Sequence, residues 1–296
     1  MKKRLRDLGE DALIARVLRG FPGGASLAVG PGDDCAVVDP GHGPLRLLKT
    51  DAIVEGVHFL PETPAEKIGW KAIARVLSDF AAMGGKPQHL LVTVAVDAER
   101  PVAWMDGLYR GIRKCLAKHG GVLAGGETSR LPSGALISVS GEGSVARKRL
   151  MLRTGGRPGD LIAVSGRLGG SIKGKHLTFN PRLTEAAWLA EHLRPSAMMD
   201  LSDGLGKDLP RLSAASGCGF HIGEVPATPG CTQEQALGDG EDYELLLTVP
   251  ERRWKKAAAA GWEQTFPTLP LTIIGRLTEP GEGLRLSGGW EHFRSA

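Results

Sequence analysis

The sequence predicts an α/β protein made of two α/β domains. The chain has 296 residues, which corresponds to about two domains of roughly 150 residues. In both halves, short apolar runs typical of strands alternate with segments of helical periodicity, which favours an α/β fold over an all-helical or all-β fold. The first unit ends near Ser144 and a basic connection follows, so the predicted domains are residues 1–144 and 145–296.

In the first half, helices and strands are predicted from apolar spacing and glycine stops. Apolar residues between Leu8 and Leu18 recur at nearly helical spacing, and Gly20 ends that helix. A longer helix carries six apolar residues on one face and closes at Gly84-Gly85. The predicted elements are helices at 7–19, 64–83 and 102–118, and strands at 35–38, 45–50, 90–96, 121–124 and 135–140.

The second half repeats this alternation. A strand at 161–165 and a helix over 183–193 precede an apolar run that begins at Met198. That run leads into a helix that begins near Gly204, and two further strands are predicted at 244–249 and 271–275. Loops are expected to carry the function, because the 42 glycines are about twice the average share of roughly 7%.

Composition excludes several classes of function. The net charge of +4 is too small, and the basic residues too scattered, to indicate a nucleic-acid groove. The cysteines at 35, 115, 218 and 231 lie far apart, so neither a zinc site nor a disulfide framework is predicted. No run approaches the roughly 18 apolar residues of a membrane span, so we expect a soluble, cytoplasmic protein without a membrane partner.

Two glycine-rich stretches imitate nucleotide-binding motifs. Residues 169–176 have the spacing of a P-loop, but His176 stands where the magnesium-binding hydroxyl belongs and no convincing helix follows. Residues 141–146 imitate a dinucleotide fingerprint, yet they lead into the basic run that starts at Arg147. We therefore interpret the first as a glycine-rich turn and the second as a loop.

Aspartates stand beside glycine, serine or threonine at the ends of apolar runs in both halves. Taken singly, each has a structural explanation: Asp79 could pair with Arg75 one helical turn earlier, and Asp203 could cap a helix. If they converge, their mutual repulsion requires protonation or cations. Oxygen ligands without His or Cys suit magnesium bound to phosphates, so the pattern favours a magnesium–phosphate enzyme. The acids in question are Asp33, Asp34, Asp51, Asp79, Asp200, Asp203, Asp239, Glu241 and Asp242.

These residues lie in a series of motifs that resembles the thiamine-monophosphate kinase family nearly from end to end. That family lies in the superfamily of aminoimidazole-ribonucleotide synthetase, selenophosphate synthetase and the hydrogenase-maturation dehydratase. The motifs are Gly32-Asp-Asp, Thr50-Asp-Ala-Ile-Val-Glu-Gly-Val-His-Phe, Gly69-Trp-Lys-Ala, Ser78-Asp-Phe-Ala-Ala-Met-Gly-Gly, Gly125-Gly-Glu-Thr-Ser, Arg153-Thr-Gly-Gly-Arg-Pro-Gly-Asp, Met199-Asp-Leu-Ser-Asp-Gly-Leu, Asp239-Gly-Glu-Asp-Tyr-Glu-Leu and Gly289-Trp-Glu-His-Phe.

The resemblance implies transfer of the γ-phosphoryl of ATP to thiamine monophosphate, giving thiamine diphosphate, in a homodimer. It implies an N-terminal ATP- and magnesium-binding domain whose strands join those of its twin in a barrel, and a C-terminal domain that completes the cleft. Asp79 and Asp203 are then the catalytic residues. The implied ligands are Asp34, Thr50, Asp51, Asp79, Asp200 and Asp203 for several Mg²⁺ ions, Tyr109, Gly125, Gly126, Arg153 and Ser202 for ATP, and His58, Glu241 and Trp290 for thiamine monophosphate.

Three features depart from the family pattern. Glu127 stands where Asp or Asn is expected, Gly170 replaces an acid, and the stretch from 174 to 181 is short. Two alternatives stay open: a related enzyme that uses ATP on another small acceptor, and a silent nucleotide-binding dimer. Trp290 and His58 also have a simpler interpretation as packing residues. The glycine loop between Gly20 and Gly32 lacks the reactive cysteine of a selenophosphate synthetase, and the sequence lacks the terminal cysteine of the hydrogenase-maturation enzyme.

Overall fold

Two β-sheets form the framework of the protein. The computed structural model describes residues 4–21, 23–258, 261–284, 286 and 288–293. A six-stranded sheet lies in the first half and a five-stranded sheet in the second, with helices in both. The predicted mixed α/β class is therefore confirmed. Within the described part of the chain, no helix is long and apolar enough to cross a bilayer.

The first sheet has the strand order β1-β2-β3-β6-β4-β5 and is open, with β1 and β5 at its edges. All its pairs are antiparallel except β4 with β5, which are parallel and joined by a crossover helix. The described chain thus contains a sheet and not a closed barrel. Its elements are α1 (Glu10–Val17), β1 (Leu27–Val29), β2 (Ala36–Val38), β3 (Leu45–Val54), α2 (Ala65–Ala82), β4 (Lys86–Val96), α3 (Val102–His119), β5 (Val122–Arg130) and β6 (Ala135–Val145).

The second sheet has the order β8-β10-β7-β11-β9, with every pair antiparallel. Alternate side chains enter two different cores: Leu245 and Leu247 pack on one side, while Leu246 packs on the other. Both faces of β10 are therefore buried. The elements are β7 (Leu161–Ser165), α4 (Leu183–Trp188), β8 (Ala197–Asp200), α5 (Leu205–Ala215), β9 (Gly219–Ile222), α6 (Gln233–Gly238), β10 (Leu245–Val249), α7 (Glu251–Ala258), α8 (Trp262–Thr265) and β11 (Leu271–Thr278).

Helix α2 contacts both halves of the molecule. Ile73, Leu77 and Phe80 belong to the core beneath the first sheet, whereas Ala81 belongs to a core of the second. The helix also touches α4 and β8. Thirteen of its 18 residues are buried, so it is held by its surroundings on nearly every side.

Most predicted elements are present, with two corrections. Helices α2 and α3 and the strands of the second half lie within a few residues of their predicted bounds. The opening helix is shorter than predicted and begins after Gly9. The interpretation of 141–146 as a loop is wrong, because Gly141 and Gly143 continue β6 and pair with β3. Those glycines are needed there, since a Cβ on either would lie 3.0 Å from the ring of Phe80.

Helices α2 and α3 approach so closely that glycine is required at their crossing. A Cβ on Gly111 would lie 1.9 Å from the carbonyl oxygen of Glu66, whereas a Cβ on Gly107 would lie 3.1 Å from the Cβ of Ala65. We expect Gly111→Ala to destabilise the protein by about 2–3 kcal/mol, because backbone cannot move aside cheaply. Gly107→Ala, in the same helix, should change stability by less than about 1 kcal/mol. Thermal and denaturant unfolding measure both, and equal effects would contradict the close approach.

Candidate active site

Three buried aspartates lie together where the two sheets meet helix α2. Asp34 precedes β2, Asp79 lies on α2 and Asp200 ends β8. One carboxylate oxygen from each lies within 4.8 Å of the other two. Ser78 Oγ, on α2, donates a hydrogen bond of 2.6 Å to Asp200 Oδ2. The structure thus brings together acids separated by up to 166 positions in the chain.

The cations around this group do not neutralise it evenly. Lys49 Nζ lies 2.8 Å from Asp79 Oδ1, and Arg153 pairs with Asp34 Oδ1. The other oxygen of Asp34 is buried and has no hydrogen-bond partner. Asp200 makes no ion pair within 4.0 Å among the described residues. A buried carboxylate oxygen without a partner is costly, and hard oxygen donors at this spacing suit Mg²⁺.

The pKa values of this group reflect the crowding. Burial raises the pKa of Asp79 well above its usual range against the opposing charge of Lys49, and the neighbouring carboxylates, Asp200 first, raise it further. Burial and the charge of Asp34 raise the pKa of Asp200. The folded protein therefore binds protons here more readily than the unfolded chain does, and it loses stability as these groups ionise.

Strand β3 separates the next two predicted ligands. Asp51 faces α2, where its Oδ2 lies 3.0 Å from Arg75 Nε. Thr50 points to the opposite, exposed face, and its Oγ1 lies 3.1 Å from Ser140 Oγ. The structure therefore does not place Thr50 beside the three aspartates, because successive side chains of a strand alternate between faces.

Asp203 lies just beyond β8, outside the group of three. Its Oδ2 accepts a hydrogen bond from Arg211 Nη1 at 2.6 Å and lies 3.0 Å from Lys207 Nζ. Burial alone would raise the pKa of Asp203, but these two cations lower it. The alternative role as a helix cap is wrong, because Gly204 occupies that position and no side chain caps the helix.

Residues from both halves line a cavity of about 110 Å³ next to Asp203. Trp290 closes over it: its backbone N–H donates to the carbonyl oxygen of Asp203 at 2.9 Å, and its side chain is 44% exposed. The cavity gathers all three residues implied for thiamine monophosphate, together with Ser202, which is implied for ATP, and Asp203, which is implied for magnesium. Its lining is Val57, His58, Arg75, Ile172, Ser202, Asp203, Asp239, Glu241, Tyr243, Trp290 and His292.

Both titratable residues implied for thiamine monophosphate, His58 and Glu241, have shifted pKa values. Burial, followed by the charge of Arg75, lowers the pKa of His58 to about 4, so its ring is neutral at neutral pH. His58 Nδ1 accepts a hydrogen bond from Val54 N–H at 3.1 Å, which leaves the ring proton on Nε2. Burial would raise the pKa of Glu241, but His176 and Lys71 lower it to about 2. Glu241 is therefore a hydrogen-bond acceptor at every physiological pH.

The residues implied for ATP do not all lie near the aspartate group and the cavity. Arg153 lies beside Asp34 and Ser202 lines the cavity. Gly125 and Gly126 lie instead on the exposed edge strand β5, and Tyr109 is half-buried on α3 against the first core. A Cβ on Gly126 would lie 1.9 Å from the carbonyl oxygen of Val92, which by itself explains that glycine. Glu127 lies on the same exposed strand.

The P-loop imitation has a structural role. Residues 171–177 form two 3₁₀ turns and no α-helix, and Lys175 Nζ is paired with Glu244 Oε1 at 3.0 Å. Gly170 has a positive φ of 72°, and a Cβ there would lie 2.6 Å from Cys231 Sγ. Local backbone geometry therefore accounts for the glycine that replaces an acid.

Sequence reasoning missed the cations of the site. Lys71, Arg75 and Asp79 are spaced by four residues along α2, so they form one charged stripe on a largely buried helix. This spacing was the available signal. Their partners lie on β3 and in the loop after α6, and the sequence does not indicate those pairings.

Comparisons with known proteins identify the family. A family model described as AIR synthase related protein, N-terminal domain, matches residues 32–145. A thiamine-monophosphate kinase from Rhodopirellula baltica is 38% identical over 272 residues, which cover 85% of this chain and 84% of the relative. The chain belongs to the thiamine-monophosphate kinase family. The thiamine-monophosphate kinase of Aquifex aeolicus is 33% identical over 98% of this chain and 100% of the relative. The predicted family is confirmed.

Solved structures agree with this assignment. AaThiL complexed with AMPPCP and TMP has a TM-score of 0.85 and 30% identity, and the match covers 99% of both chains. The tt0281 protein of Thermus thermophilus has a TM-score of 0.80 and 29% identity over 97% of this chain and 99% of that one. A hydrogenase maturation protein, HypE, is 20% identical with a TM-score of 0.67 over 91% of this chain and 90% of that one, a likeness of fold alone.

The three crowded aspartates generate a stability prediction. With metal removed by a chelator at pH 7.5, Asp200→Asn should raise Tm by a few degrees, because it removes the carboxylate that lacks a cation. The folded-state pKa of Asp200 lies above its unfolded value, so stability should fall as pH rises from about 4, and the variant should flatten that fall. Scanning calorimetry across pH tests this. The control is Glu99→Gln, which replaces an exposed carboxylate outside the group. A Tm for Asp200→Asn that falls by as much as it is expected to rise would contradict the crowding.

Proposed function

We propose that the chain transfers the γ-phosphoryl of ATP to thiamine monophosphate, giving thiamine diphosphate and ADP. Its relatives over most of its length are thiamine-monophosphate kinases, and the solved structure most similar in fold among those described above contains AMPPCP and TMP. The observation that carries the proposal is the buried aspartate group beside a cavity that joins both halves. Phosphoryl transfer needs positioning and charge neutralisation more than a covalent nucleophile.

Magnesium fits the donors present. Asp34 offers a buried oxygen without a partner, Asp79 and Asp200 supply two more oxygens within 4.8 Å, and no His or Cys competes in that group. Asp51 and Asp203 lie on adjoining segments and extend the set, whereas the predicted ligand Thr50 lies on the outer face of β3, away from the three aspartates. Bound magnesium supplies neutralisation of the phosphate charges during transfer.

The remaining steps belong to side chains of this chain. Arg153 and Lys49 bring positive charge to the aspartate group, and Arg153 is placed to contact a phosphate oxygen. Ser202 and Asp203 lie between that group and the cavity. The acceptor is already a phosphate oxygen, so no strong base is needed, and Asp79 and Asp203 act by holding charge in place.

The homodimer is part of this proposal. All nine residues of edge strand β5 are exposed, and a groove of about 510 Å³ crosses the outer face of β3, β6, β4 and β5. An exposed edge of this length invites pairing with another chain. A second copy laid on this face would cover Thr50 and the strand of Gly125 and Gly126, and would complete the predicted barrel of the 1–144 domain.

Metal dependence gives the first test of the reaction. Asp79→Asn should lower kcat at least 100-fold at saturating Mg²⁺ while the fold stays intact, because one charge is lost without a change of volume. The assay is formation of thiamine diphosphate from ATP and thiamine monophosphate. Lys175→Ala is the matched control and should lose less than about fivefold, since its partner is Glu244. Comparable losses of kcat in Asp79→Asn and Lys175→Ala would restore the P-loop interpretation. A wild type that binds ATP without turnover would favour the silent nucleotide-binding dimer.

The cavity gives a second test. Trp290→Ala should raise the KM for thiamine monophosphate about 2- to 30-fold, because an aromatic face over the cationic ring contributes roughly 0.5–2 kcal/mol. The KM for ATP should change less than twofold. Trp290→Phe keeps a ring and should recover most of the loss. A sharp fall in Tm with unchanged substrate affinity would make Trp290 a packing residue.

A further inference from the structure

Lys71 is a fully buried lysine at the centre of α2. Its exposed fraction is 0%, and lysine is almost never buried to this degree unless it is paired. It lies between the apolar residues Ile68 and Ala72 on the side of the helix that faces the second half. A methionine could fill the same volume without the cost of desolvating a charge. The ammonium group therefore requires an explanation other than packing.

The Lys71 ammonium reaches three separate segments. Its Nζ donates to the carbonyl oxygen of His58 at 2.6 Å and to Glu241 Oε2 at 2.7 Å, and it lies 2.8 Å from His176 Nδ1. His176 Nδ1 also lies 2.8 Å from Glu241 Oε2. Lys71 thus donates to Glu241 Oε2, and the His176 ring lies against the same oxygen. His58 and Glu241 both line the cavity.

Glu241 is held in an unusual backbone conformation. Its φ is 53°, a left-handed value that costs a non-glycine residue roughly 1–2 kcal/mol. Its N–H donates to the carbonyl oxygen of Ser202 at 2.7 Å, and Ser171 Oγ donates to its carbonyl oxygen. Backbone and Oε2 are therefore both fixed. Among the described residues, the second oxygen, Oε1, accepts one long hydrogen bond, from Tyr243 Oη at 3.3 Å.

We infer that Lys71, with His176, is a positioning residue for substrate recognition: it holds Glu241 Oε2 so that Oε1 is left to accept a hydrogen bond from the amino group of the substrate's pyrimidine ring. This inference rests on the proposed function, because it takes thiamine monophosphate as the substrate. It also gives a role to His176, the residue that breaks the P-loop pattern. Lys71 acts through Glu241 and the His58 loop and does not itself contact the substrate.

The charges are consistent with this role. Burial lowers the pKa of Lys71 to about 8 against the opposing effect of Glu241, so the ammonium form persists at neutral pH. The pKa of Glu241 is held at about 2. A carboxylate only accepts hydrogen bonds, so Glu241 Oε1 favours an amino group over a carbonyl at the same ring position. A site built to bind a donor rejects an analogue that lacks it.

A double-mutant cycle tests the inference. Lys71→Met should raise the KM for thiamine monophosphate at least 10-fold and change the KM for ATP less than twofold. In the Glu241→Gln background, Lys71→Met should add less than a further twofold, because the lysine acts through that carboxylate. Lys67→Met, one turn earlier and exposed, is the matched control and should match the wild type. If Lys71→Met does not fold, His176→Leu takes its place in the test. It should raise the KM for thiamine monophosphate several-fold.

Oxythiamine monophosphate, which carries a carbonyl in place of the amino group, gives a second readout. The wild type should prefer thiamine monophosphate at least 10-fold in kcat/KM, and Lys71→Met and His176→Leu should reduce that preference. Any of three results would overturn the inference. The effects of Lys71→Met and Glu241→Gln on the KM for thiamine monophosphate could be independent, the KM for ATP could rise equally, or the preference for thiamine monophosphate over oxythiamine monophosphate could stay unchanged in the variants.

Calorimetric binding of thiamine monophosphate separates this inference from the proposed function. If the wild type binds thiamine monophosphate without phosphorylating it, the proposed function fails. The cycle is then measured on Kd, and weaker binding by Lys71→Met that disappears in the Glu241→Gln background still supports the inference. If the wild type does not bind thiamine monophosphate at all, both proposals fail.

Discussion

The charged stripe of helix α2 is the constraint on which the arrangement of the site depends. An 18-residue helix with apolar packing on most sides also carries Lys71, Arg75 and Asp79 four residues apart. Each charge needs a partner because Lys71 and Asp79 are buried and Arg75 is largely so. The partners come from the loop after α6 and from β3, so satisfying the stripe fixes both halves of the molecule around one helix.

Electrostatic imbalance within that arrangement marks the reacting region. Near Lys71 the charges are matched, and the pKa of Glu241 falls. Near Asp79 there are more carboxylates than cations, and the pKa values of Asp79 and Asp200 rise. One helix thus has matched charges around Lys71 and an excess of carboxylates around Asp79. Shifted pKa values of this kind cluster at functional sites.

The sequence allowed α2 to be predicted within one residue at each end, because its periodicity is strong and a Gly-Gly pair stops it. Acids of the site such as Asp34 and Asp200 could be predicted too, since they stand beside apolar runs. The pairing of Lys71 with Glu241 could not, because 170 positions separate them. Strand β6 was misjudged at Gly141 for a related reason: glycine weakens a strand pattern, and the ring of Phe80 that demands it lies elsewhere in the sequence.

The strand order of the first sheet also determines when it can form during synthesis. Strands β3 and β4 do not pair with each other; both pair with β6, which lies between them and follows β3 by roughly 90 residues. At about 5–20 residues per second of translation, β3 waits on the order of 5–20 s for its partner. Loop closure over such a distance is slow. In the nascent chain β2 can cover one edge of β3 and β5 can cover one edge of β4, but the edge of each strand that β6 later fills stays open for seconds.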